Sequence, residues 1–263
     1  MIRVALLLLV PSLAFANPLR HEDAERVRPE LISAVIVHYV PKGSGFVEEA
    51  REVRSYDATG HIVRQEHKKP DGSLVGGVDF VWDAQGRITS HTYKDETKRI
   101  ERRDFTYKVD AKGRVTEKIL RDPAKPAGEY IRYAYLYEAD GSHKIQSSRH
   151  YAKEGPYTSN HELVDAQGRT TVSCREHGGC DMYEYDAHGV LDRIRQQTKA
   201  EHHYLTFETT YNATGQVATR IFGTIQSVYS WNARGDVAEI VQNVIASQGG
   251  ALRAKTVYTY KYR

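Results

Sequence analysis

The sequence predicts an all-β protein, an antiparallel meander of repeated β-hairpins that forms a large curved, open sheet or partial shell. Two observations carry that expectation. A short phrase, aromatic then Asp or Asn and, three residues on, Gly, returns along the 263-residue chain, and the segments between its copies alternate in the manner of strands. The phrase appears as Tyr56-Asp57-Ala58-Thr59-Gly60, Trp82-Asp83-Ala84-Gln85-Gly86, Tyr185-Asp186-Ala187-His188-Gly189, Tyr211-Asn212-Ala213-Thr214-Gly215 and Trp231-Asn232-Ala233-Arg234-Gly235, with looser copies ending at Gly113, Gly141 and Gly168. Successive glycines lie 20 to 28 residues apart, a period that marks a repeated supersecondary unit.

The phrase has a local mechanism. Asp57, Asp83, Asp186, Asn212 and Asn232 can each accept a hydrogen bond from backbone two residues on, and the following Gly60, Gly86, Gly189, Gly215 and Gly235 supply the left-handed conformation that closes a type I turn with a bulge. Each copy therefore predicts a tight hairpin. The flanks agree, since Val78, Phe80 and Trp82 alternate into one turn and Phe105, Tyr107 and Val109 into the next. The opposite hairpin ends are irregular and rich in Gly, Pro and charge, as in Lys68-Lys69-Pro70-Asp71-Gly72, residues 121–128 and residues 246–250. One edge should carry near-identical turns. The other should carry variable loops, where binding residues usually sit.

Taken in chain order, residues 1–16 read as a secretory signal peptide: a basic start at Arg3, an apolar run from Val4 to Val10 and a small-residue site at Ala14-Phe15-Ala16. Residues 17–30 are polar and predict a linker or short helix, and residues 31–263 the repeat sheet. Leu31 to Val40 is the expected first strand and Phe46 to Tyr56 its partner. Two strands per tight turn give about sixteen to eighteen, on the order of 80 Å of sheet, wide enough to curl, split or close. Charge falls on both faces of segments such as Arg99 to Val109 and Arg193 to Gln197. An outer-membrane barrel needs an unbroken apolar outer band, so the expectation is a solvated sheet that does not span a membrane.

A net charge of +3 leaves no strongly basic face for nucleic acid. The two cysteines, Cys174 and Cys180, bracket five residues and in an exported chain predict a disulfide across one variable loop. A metal site adding His177 is the rival, without a fourth ligand.

Tyr-Asp-x-x-Gly followed by a β-former resembles the YD repeat of the RHS family, over roughly residues 47 to 262. Tyr56-Asp57 to Gly60 and Tyr185-Asp186 to Gly189 match best, whereas the copies at Gly141 and Gly168 are degenerate and Arg64, Arg193 and Arg220 match only approximately the Arg or Leu that usually follows. Large RHS-type proteins wind this repeat into a hollow shell around a toxin. The chain is short for a complete shell and shows neither a self-cleaving core region nor a toxin segment. The resemblance therefore implies a curved sheet or partial shell and carries over no catalytic residue.

No zinc-protease, nucleophile-elbow, phosphate-loop or dinucleotide motif occurs. The twelve histidines are scattered, and the adjacent His202 and His203 would face opposite sides of a strand. The basic run Lys98 to Arg103 is interleaved with Glu101 and reads as a solvated strand. The expectation is a protein with no enzymatic activity, metal or cofactor. Its candidate binding residues are aromatic: Tyr133, Tyr135 and Tyr137 on one strand face, Tyr183 and Tyr185 on another, Tyr229 and Trp231 on a third, and Trp82. They would hold a protein partner or a sugar ring, unless they form the sheet's own packing ladder. The functional expectation is a periplasmic or secreted protein of a Gram-negative bacterium that binds a protein partner through the repeat scaffold. A toxin-neutralising, immunity-type protein is one version, and a binder of glycan or envelope polysaccharide is the alternative.

Overall fold

The computed structural model describes residues 28–43, 45–97, 100–151, 156–175, 179–197, 202–244 and 252–263, with backbone alone for strand residues 156–159, 197, 202–204 and 252. The signal peptide, most of the linker, His177, Lys98, Arg99 and the loop at 246–250 lie outside the described residues. The described chain contains eighteen strands: β1 (Leu31–Lys42), β2 (Gly45–Tyr56), β3 (Ile62–Lys68), β4 (Leu74–Trp82), β5 (Ile88–Asp95), β6 (Ile100–Val109), β7 (Val115–Arg121), β8 (Tyr130–Tyr137), β9 (His143–His150), β10 (Pro156–Val164), β11 (Thr170–Arg175), β12 (Cys180–Tyr185), β13 (Leu191–Gln197), β14 (His202–Tyr211), β15 (Val217–Phe222), β16 (Ile225–Trp231), β17 (Val237–Val244) and β18 (Leu252–Tyr262).

Every strand pairs antiparallel with its neighbours in sequence, and β1 pairs with β18 from Leu31↔Tyr262 to Tyr39↔Lys255. The sheet is therefore a closed up-and-down barrel, and the expected open sheet or partial shell is corrected. The physical reason lies in the turns. Beside seven of the eight tight hairpins the register shifts by one residue, at Tyr56, Trp82, Val109, Val164, Tyr185, Tyr211 and Trp231. Only the pair Tyr137↔His143 lacks the shift. A bulge bends its strand and increases local twist, so the same bulge repeated along one rim curls the sheet in one direction until its edges meet. Closure also removes both unpaired edges, which a wide open sheet would leave exposed.

An 18-stranded barrel leaves an open interior, on the order of 30 Å across between backbones at the usual strand spacing. Register pairs place residues of neighbouring strands on a common face, and one face is the more buried: Leu31, Ala34, Ile36, Ile62, Phe80, Val164, Ile225, Val237, Ile240 and Tyr258 all share it. Side chains two strands apart also approach one another there, since the Tyr229 hydroxyl of β16 acts electrostatically on that of Tyr258 in β18. Convergence of this kind belongs to a concave surface, so this face is the inner wall. The outer face carries mid-strand ion pairs, Arg64–Asp79–Lys94 and Lys108–Glu117–Arg132, beside exposed apolar residues such as Val81 and Leu136. The charge on both faces, which suggested an open sheet, lies on both walls of the barrel.

The seam between β18 and β1 occupies the place of a ninth tight turn. Arg28 donates from its backbone to Gly60 O at 2.8 Å and from Nη2 to Asp236 Oδ1 at 2.5 Å, so it spans from the first tight turn, β2–β3, to the last, β16–β17. Arg263 donates to Glu30 O and Pro29 O, each at 2.9 Å, and to Asp57 O. Gly60 is held at φ +91°, and a Cβ there would lie 2.2 Å from Pro29 N. The chain can cross this turn only because Gly60 has no side chain.

Candidate functional site

The turn residues form a continuous girdle. Asp57, Asp83, Asp110, Asp165, Asp186, Asn212 and Asn232 each accept from two backbone N–H groups, two and four residues on, while the following glycine donates back to the turn carbonyl. Gly113 and Gly168, reached in the sequence through loose copies, close the same turn as the strict ones because Asp110 and Asp165 are present. Only the Gly141 copy departs: Glu138 stands at the turn position, and Asp140 instead accepts from Ser142. The aspartates are thereby committed. The Arg114 guanidinium and backbone N–H hold the Asp110 carboxyl below its ordinary range, and at Asp83 and Asp165 the same contacts outweigh the upward push of partial burial.

Three of the candidate aromatics join one hairpin to the one before. Trp82 Nε1 donates to Ile62 O at 2.8 Å, Tyr185 Oη to Thr170 O at 2.7 Å and Trp231 Nε1 to Val217 O at 2.8 Å. Tyr107 and Tyr260 make the equivalent bonds to Ile88 O and Val237 O. The accepting residue always lies two past the glycine of the preceding turn. Arginines one past the glycine complete the girdle, for Arg87, Arg114 and Arg169 each bond the turn aspartate and lie over Tyr107, Tyr137 and Tyr185 at 5.2, 4.4 and 4.8 Å from the ring centroid. A Gly-Arg step at 86–87, 113–114 and 168–169 is the signal in the sequence that could have found them. Tyr229 packs against the seam core, and burial pushes its hydroxyl pKa up. Tyr183 lies half-buried on the inner wall opposite Ile194.

Tyr133 and Tyr135 are placed differently. They line a cavity of about 410 Å³ on the inner wall of β7 to β10, together with Lys118, Ile131, Ile145, Ser147, Arg149, Asn160, His161 and Glu162. Strand register assembles it: Lys118 pairs with Tyr133, Tyr133 with Ser147, and Ile131 with Arg149. Burial raises the Tyr133 pKa, with Glu162 adding to the shift and Arg149 opposing it. A second hollow of about 220 Å³ shares Ile131 and Arg149 and runs to the variable rim at Asp122, Lys125 and Glu129. Together they form one groove from the loops into the lumen. Cys174 and Cys180 are disulfide-bonded and directly paired across β11 and β12. Among the described residues, no three His, Cys, Asp or Glu side chains converge as metal ligands.

The fold and site thus define a closed 18-stranded antiparallel barrel with a turn-and-aromatic girdle at one rim and a groove on its inner wall. No family model matches the chain, and no curated protein does. Among solved structures it is similar to a porin-like protein from Bacteroides uniformis, at TM-score 0.45 and 14% identity over 90% of this chain and 99% of that one. It is also similar to part of a Tc holotoxin pore from Photorhabdus luminescens, at TM-score 0.36 and 14% identity over 82% of this chain and 13% of that one. A TcdB2–TccC3–Cdc42 structure gives TM-score 0.30 and 13% identity over 79% and 13%. None of the three reaches the similarity from which a shared activity follows. No helix among the described residues is long and apolar enough to cross a membrane, a statement that does not extend to strands.

Proposed function

We propose that this is a non-catalytic, exported binding protein that takes a saccharide into its barrel, on the inner wall of β7 to β10. The observation that carries this reading is the cavity holding Tyr133 and Tyr135. Its volume of about 410 Å³ falls within the range of small-ligand sites, and it combines apolar walls, Ile131 and Ile145, with polar groups, Ser147 and Asn160. Tyrosine rings offer a sugar an apolar face, and their hydroxyls a hydrogen bond. The disulfide fits an oxidising compartment, in keeping with export.

The experiment is glycan-panel binding with Tyr133→Ala and Tyr135→Ala, each expected to lose about tenfold in affinity while the barrel stays folded. Binding unchanged by both removes the saccharide from this wall. Trp231→Ala, which looks equivalent in the sequence, should act on stability alone.

A protein partner is a second reading, favoured by one observation. Val47, Leu74, Val75 and Ile100 are exposed large apolar residues at the variable-rim ends of β2, β4 and β6. Exposed apolar residues gathered at one rim are a feature of protein-binding surfaces. Leu74→Lys with Ile100→Lys would abolish capture of such a partner and leave saccharide binding intact.

A further inference from the structure

We propose that the ligand of the inner-wall cavity is an acidic saccharide whose anionic group sits between Lys118 and Arg149. The inference rests on the saccharide reading above and adds the charge of the ligand. On the outer face the mid-strand cations are neutralised in place: Arg64 and Lys94 share Asp79, and Lys108 and Arg132 share Glu117. Lys118 and Arg149 are treated otherwise. Among the described residues neither has a carboxylate partner. Lys118 Nζ lies over the rings of Phe105 and Tyr133, at 5.7 and 5.1 Å from their centroids, and Arg149 donates only to the Tyr151 hydroxyl at 3.4 Å.

Both cations line the same cavity, one on each side of Tyr133, because Lys118 pairs with Tyr133 while Arg149 pairs with Ile131, two residues along that strand. Among the described residues Glu162 is the one carboxylate in the lining, so the pair leaves that part of the wall net positive. Unpaired cations on a partly enclosed concave surface attract an anion more strongly than they would in open solvent. A planar guanidinium bonds a carboxylate, sulfate or phosphate through two N–H groups, and an ammonium serves as a point charge beside it. The space is larger than an inorganic anion needs, and the Tyr133 and Tyr135 rings flank the remainder, which suits the ring that carries the acid group.

The test uses the folded protein and matched ligand pairs in calorimetric titration: a galacturonate trisaccharide against its methyl ester, and sulfated and phosphorylated disaccharides against their unsubstituted parents. At least one acid should bind about tenfold or more tightly than its neutral counterpart, and the preference should weaken as salt is raised. Lys118→Met and Arg149→Gln should each remove about tenfold of the acid's affinity and bring the acid-over-neutral ratio towards one. Lys118→Arg should retain the preference, and Arg132→Gln on the outer face should change nothing. Circular dichroism of each variant separates lost binding from lost folding. If acid and neutral forms bind equally, the anion assignment falls and the saccharide reading stands. If no saccharide binds, both fall. If free phosphate or sulfate alone binds as tightly as the acidic sugars, the site is an anion site without a sugar platform, and the proposal is overturned.

Discussion

From β16 round through the seam to β4, the inner wall is closed over: Leu31, Ile36 and Ile62 are fully buried, and Val237, Ile240 and Tyr258 pack with Ile36 into one core. From β7 to β10 the same face is half-buried apart from Ser147 and Val164 and holds the groove, and its β8–β9 turn is the one that departs from the repeat. Apart from that β8–β9 copy, the turn repeat runs through both arcs and does not by itself distinguish them. Residue size and charge at equivalent inward positions do that, with Ile36 and Ile240 in one arc where the other has Lys118 and Arg149. A turn-based repeat fixes backbone position and leaves the inward side chains free to make either a core or a site.

The difference can be broken first at the seam. Ile36→Ala should cost about 3 kcal/mol, read as a lower urea midpoint, because a fully buried side chain leaves a cavity in the core that joins β1 to its neighbours. Ile145→Ala, on the open arc, should cost clearly less. Gly60→Ala should follow, at about 2 kcal/mol or more, since the new Cβ collides with Pro29 backbone; Gly113→Ala, with nothing within 4 Å, should show only the positive-φ strain of about 1 kcal/mol. Near-equal effects of the two glycine substitutions would mean that the Arg28–Glu30 strap does not hold the seam.

Smaller effects sharpen the contrast. Removing both Cys174 and Cys180 should cost about 2 kcal/mol at most, as the bridged loop is short, and should leave the seam core unaffected in hydrogen exchange. Acid tests the girdle, which both arcs share. Its aspartates have folded pKa values below the ordinary value of about 3.9, so their stabilisation is complete above that pH and is lost as pH falls through the lower, folded values. The thermal midpoint should begin to drop as pH falls below about 4. Asp165→Asn should remove part of that slope, because Asn212 and Asn232 keep the same turn bonds without titrating.

Much of this molecule is legible in its sequence because the turn is a local device. Asp and Gly three apart announce each hairpin, and the expected first strands, Leu31 to Val40 and Phe46 to Tyr56, coincide with β1 and β2 apart from one or two residues at their ends. Closure was not legible. It depends on bulges beside seven of the eight tight turns and on pairing between segments more than two hundred residues apart, neither of which alternation records. The aromatics could not be sorted for a related reason. Trp231 and Tyr135 look alike in the sequence, yet one reaches a carbonyl on the preceding hairpin and the other lines a cavity. Lys118 and Arg149 carried no signal, since only strand register brings them to either side of Tyr133.

The pairing of β1 with β18 also sets the order in which the molecule can be made. Each hairpin closes locally and fast, whereas the last ladder joins the two ends of the meander and must wait until all the others are in place. Until then the nascent sheet has two bare edges, each able to recruit a second copy in place of its own far end. Dilution, which leaves the intramolecular partner's local concentration untouched, should therefore favour correct closure over domain-swapped dimers.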